Sequence, residues 1–89
     1  MAVMLTAEVY QDDIAVTLAN VLATANKRAS EMGVDVAESL LTLTQRVVDD
    51  ALVWRINYGP KEYINRRGGD LVVDVAATSG KVAQVLWGQ

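Results

Sequence analysis

The sequence predicts an α+β domain in which two N-terminal helices pack on one face of a three-stranded antiparallel β-meander, in the order α-α-β-β-β. Apolar residues recur at helical spacing through most of residues 7–50. The spacing changes to strict alternation at Leu52, and two further alternating runs flank Thr78-Ser79-Gly80 near the C-terminus. At 89 residues the chain is expected to form a single domain, 1–89.

Residues 7–31 contain neither glycine nor proline, and Ile14, Leu18, Leu22 and Ala25 form one apolar stripe with Ala15 and Val21 beside it. Lys27 and Arg28 complement the macrodipole near the C-terminal end, and Gly33 is the expected stop. Asp35 and Glu38 have the spacing of a capping box. Leu40, Leu41, Leu43, Val47, Val48 and Ala51 then continue at helical period, so a second helix is expected from Asp35 to about Asp50. The short connection predicts an antiparallel helix pair.

From Leu52, the residues Leu52, Trp54, Ile56 and Tyr58 alternate with Val53, Arg55 and Asn57, giving a strand over 52–58 that Gly59-Pro60 terminates. Continuation of the second helix through Trp54 is the alternative for this segment. Residues 61–69 read as a polar, basic connector. Residues 70–77 and 81–87 are expected to form a hairpin. A three-residue loop with a left-handed Gly80 in a bulge places Leu71, Val73, Val75, Ala83, Val85 and Trp87 on one face and sets Asp74 against Gln84 on the other. That second face still carries Val72, Val82 and Leu86, too apolar for a face in water. Either the N-terminal Val3–Leu5 or a second subunit should cover it, and a second subunit is the expectation adopted, with these three residues as the dimer face.

Composition narrows the chemistry. Cysteine and histidine are absent, which removes disulfides, thiolate chemistry, the commonest general base and the commonest neutral metal ligand. No histidine means no standard hydrolase triad, and no phosphate-loop or dinucleotide motif occurs. The pairs Asp12-Asp13 and Asp49-Asp50 are neighbours in sequence, and side chains ~100° apart on a helix do not converge on one metal. The first is expected to decorate a solvated helix face and the second to end the second helix. No enzyme, metal or cofactor is therefore expected.

The apolar fraction of 52% exceeds the ~45–50% usual for globular chains, although a short chain needs more polar surface. The excess suggests that another chain covers some of the apolar surface. The formal net charge of −3 is divided unevenly: residues 1–54 carry three basic and eight acidic groups, residues 55–89 five basic and three acidic. The one basic patch is Lys61, Arg66 and Arg67 with Tyr63 between them, which suits either partner carboxylates or phosphate and base stacking. Neither a basic leader nor an apolar run of membrane-spanning length is present, so a cytoplasmic, bacterial or viral, protein is expected.

The segment Val73-Asp74-Val75-Ala76-Ala77-Thr78-Ser79-Gly80-Lys81-Val82 resembles the V-D-x-x-T-G-x-V hairpin of PepSY-like domains and some small bacterial immunity-type proteins. The likeness covers about the last forty residues. Ser79 is inserted between threonine and glycine, and the secretion signal usual for PepSY proteins is missing. The resemblance implies a binding or inhibitory module and supplies no catalytic residues. Together these features lead to an expected non-catalytic protein-binding or regulatory module that acts as a homodimer. The alternative is a nucleic-acid-binding accessory factor using the 61–67 connector, with salt-sensitive binding.

Overall fold

The computed structural model describes residues 12–60 and 70–87. One helix and one four-stranded sheet account for them. Helix α1 spans Asp13–Glu31, and a 3-10 turn spans Val36–Glu38. The strands are β1 (Ser39–Val48), β2 (Ala51–Pro60), β3 (Leu71–Ala76) and β4 (Val82–Trp87), antiparallel and in spatial order β1-β2-β3-β4.

Helix α1 has clear boundaries. Asp12 is its N-cap, the carboxylate accepting from the Ala15 N–H at 2.9 Å. This corrects the expectation of a merely solvated Asp12, and the part of the predicted helix before residue 12 lies outside the described residues. At the other end Gly33 takes φ +90°, the Val34 N–H donates to the Ala29 carbonyl and the Gly33 N–H to the Ser30 carbonyl. That bond pair is the Schellman stop expected of Gly33. The buried stripe is Val21, Ala25 and Ala29, flanked by Leu22. It keeps Val21 and Ala25 of the expected stripe and runs on to Ala29, with Leu18 and Leu22 half-buried, whereas Ile14 is left 70% exposed and Ala15 is exposed.

The second helix does not exist, and its residues form β1. Leu41-Thr42-Leu43-Thr44 alternates with period two, and threonine and valine suit a pleated strand better than a helix. Asp35 caps nothing with its side chain. Instead the Ser39 hydroxyl donates to the Asp35 carbonyl at 2.8 Å as the chain leaves the 3-10 turn. Asp49-Asp50 ends no helix either: both residues have positive φ, 50° and 65°, and they form the two-residue turn of a β1–β2 hairpin with Val48 opposite Ala51. Segment 51–58 is accordingly strand.

The β3–β4 hairpin keeps the predicted register through most of its length. Leu71 faces Trp87, Val73 faces Val85, and Asp74 faces Gln84. Gly80 is left-handed at φ +69°. The loop differs from the expected three residues, because Ala76 donates to the Lys81 carbonyl and Gly80 donates to the Ala76 carbonyl, enclosing residues 77–80. The register shift falls between Asp74 and Val75, so Ala83 becomes the extra residue and Val82 pairs with Val75.

Two faces result. The inner face carries Ile56, Tyr58, Leu71, Val73 and Val75, and these make one buried cluster with Val21, Ala25 and Ala29 of α1. The alanines let the helix sit close to the sheet. The helix contacts β2, β3 and β4, and β1 is not among its main partners. Leu41 and Leu43 are therefore only half-buried at the margin of the core. No helix among the described residues is long and apolar enough to cross a membrane.

Candidate interaction surfaces

The outer face is polar at its centre. Arg55 reaches across to Asp74, Nε to Oδ1 at 2.8 Å and Nη2 to Oδ2 at 2.9 Å, and Asp74 is only 5% exposed. This bidentate pairing, more than the opposing charge, holds the guanidinium pKa above its usual value. Asn57 donates to Asp70 at 2.7 Å one row away. On the inner side Tyr58 donates to Asn26 Oδ1 at 2.7 Å, tying sheet to helix, and burial pushes its phenol up to about 12.

The predicted dimer face is divided by the bulge. Val72 and Leu86 stand opposite each other on the outer face, half-buried and 39% exposed. Val82 has crossed to the inner side, where it packs against the core cluster. The predicted partner-binding residues Lys61, Tyr63, Arg66 and Arg67 lie outside the described residues.

Exposed apolar residues gather elsewhere. At the N-terminal end of α1, a groove of about 310 Å³ is lined by Ile14, Leu52, Trp54 and Ala77, with Asp13, Thr17, Gln45 and Thr78 on its polar margin. Ile14 is 70% and Leu52 40% exposed. Asp13 lies on the groove margin beside Asp12 in sequence, and Asp49 and Asp50 form the turn of the hairpin that supplies Leu52, three and two positions before it. Among the described residues, no group of three or more carboxylates is placed to hold a metal ion. Asp12 is already engaged as a cap. The groove can bury apolar side chains, and Asp13 can attract a cation at its rim.

Sequence reasoning missed this groove because it depends on the β1–β2 hairpin. Leu52 and Trp54 were legible as one strand face, but what stood beside them was not. Compared with protein families, with curated proteins and with solved structures, the chain has no match.

Proposed function

We propose that this protein is a non-catalytic protein-interaction module that receives an apolar, basic segment of a partner in the groove between α1 and the β1–β2 hairpin. The carrying observation is the groove that brings exposed Ile14 and Asp13, beside the Asp12 helix cap, together with exposed Leu52, on the hairpin whose turn is Asp49-Asp50. Apolar burial supplies most of the affinity, and the carboxylates select a cationic partner and speed its encounter. The same acidity disfavours a nucleic-acid backbone at this end.

A fluorescently labelled amphipathic peptide of leucine and lysine is the probe, read by anisotropy. The wild type should bind it in a salt-sensitive manner. An Ile14→Ser/Leu52→Ser variant, altered only at exposed positions, should bind about tenfold more weakly. A peptide with glutamate in place of lysine should not bind. Equal binding by the double variant, or by the acidic peptide, overturns the proposal.

A further inference from the structure

Among the described residues, strand β1 is the longer outer strand of the sheet, ten residues against six in β4. The two edges differ in another way. The β4 edge is interrupted by the irregularity at Ala83, a device that discourages pairing with another chain, whereas the β1–β2 register runs from Ser39 to Val48 without a shift. The exposed large apolar residues of β1 are Leu40 (49%), Val47 (70%) and Val48 (40%).

The turn fixes which backbone groups point outward. Val48 and Ala51 close a two-residue turn and so form a hydrogen-bonded pair, and pairs alternate from there along the ladder. The N–H and C=O groups of Leu41, Leu43, Gln45 and Val47 therefore point away from β2, toward the sheet margin. A second β1 strand running antiparallel must place odd-numbered residues opposite odd-numbered ones. That requirement removes every register displaced by a single residue.

Among the remaining registers, the one centred on Thr44 is distinctive. It sets Leu41 against Val47, Leu43 against Gln45, Leu40 against Val48, Thr42 against Arg46, and Thr44 against itself. Each of the three exposed apolar residues gains an apolar partner, and by symmetry each contact occurs twice. No charged residue of the strand faces a like charge. Centring on Leu43 sets Leu40 against Arg46 and Val47 against Ser39, and centring on Gln45 sets Leu41 against Asp49. Both registers lose the match.

We propose that two copies of this protein pair their β1 strands antiparallel about a two-fold axis at Thr44, joining two four-stranded sheets into one of eight strands. The interface is isologous, and its occupant is a second copy because the strand complements itself. The pairing uses the outward backbone groups of β1 and shares only Gln45 with the lining of the groove described above.

The test is a single cysteine in a chain that has none. In a two-fold, non-hydrogen-bonded pair the Cα atoms lie ~4.5 Å apart, within disulfide range. Thr44→Cys should therefore form a covalent dimer under mild oxidation. In the same register the two copies of residue 42 are ~14 Å apart, four residues along the strand, so Thr42→Cys should not crosslink. Light scattering of the unmodified protein should give twice the 9.6 kDa of one chain. Thr44→Lys, which places two cations opposite each other on an exposed position, should return it to one. A monomeric wild type, crosslinking by Thr42→Cys as readily as by Thr44→Cys, or a Thr44→Lys protein that remains dimeric overturns the proposal. Crosslinking at residue 44 and peptide binding by the Ile14→Ser/Leu52→Ser variant are separate readouts, so each proposal can fail without the other.

Discussion

Asp74 is the one buried charged residue of the described chain, and its two carboxylate oxygens are both engaged by Arg55. Replacing the arginine by an apolar residue of similar length leaves a desolvated carboxylate with no partner. Arg55→Met should therefore cost about 2–4 kcal/mol, read as a lower urea midpoint with unchanged slope. An Asp74→Asn change retains an acceptor for the guanidinium and should cost less. A larger loss in Asp74→Asn than in Arg55→Met would show that the carboxylate is not stranded. Tyr58 adds a pH dependence of definite sign. Its folded pKa of about 12 lies above the ordinary value of 10.0, because burial disfavours the phenolate. A raised pKa stabilises the fold fully below the unfolded value and loses that contribution as pH rises through the folded value. Stability should thus fall between pH 10 and 12. Tyr58→Phe should lose about 1 kcal/mol near neutrality with the Asn26 bond, and should show a shallower alkaline decline than wild type.

At the level of the element, the β1–β2 turn carries the least favourable backbone. Two successive aspartates adopt positive φ, a conformation that asparagine and glycine adopt at less cost, and they place two negative charges side by side. Asp49→Asn/Asp50→Gly should stabilise the protein by about 1 kcal/mol in thermal or urea unfolding. Destabilisation would mean that the carboxylates hold the turn by contacts of their own. The same turn explains why half the fold was legible in the sequence. The C-terminal hairpin announced itself through Thr78-Ser79-Gly80 and two clean alternating runs, and its register at Leu71, Val73 and Asp74 followed from matching faces. The N-terminal hairpin had no glycine at its turn, and Leu40, Leu41, Leu43 and Val47 also fit a helical stripe. The contrary signal lay in Thr42 and Thr44, whose β-branched side chains interrupt a helix and complete a strand. Placing these residues in a helix hid both the groove and the strand edge. Val82 and Ala83 were misplaced for a different reason: a bulge moved from the loop to Ala83 puts Val82 in the inner position predicted for Ala83, while leaving Val85 and Leu86 where matching predicted them.

For the molecule as a whole, the one α-helix among the described residues covers only part of the four-stranded sheet, and the buried cluster is small and, apart from Tyr58, aliphatic. A domain of this length has little stability to spare, and β1 has half-buried leucines and, among the described residues, no strand on its outer side. Pairing two β1 strands would place each beside a second neighbour, so association and folding should be linked. For a dimer that unfolds to two chains, each tenfold rise in concentration adds about 1.4 kcal/mol per dimer. With the unfolding entropy typical of chains this size, that corresponds to an increase of about 4 °C in Tm. Wild-type protein should show this shift in differential scanning calorimetry, and Thr44→Lys should melt lower and independently of concentration. The Asn-Gly turn variant should melt higher yet keep the wild-type concentration dependence, because it strengthens the hairpin without touching the outward-pointing backbone of Leu41, Leu43, Gln45 and Val47. A wild-type Tm that stays constant with concentration would mean that β1 is held within the single chain alone, with nothing gained from a second copy.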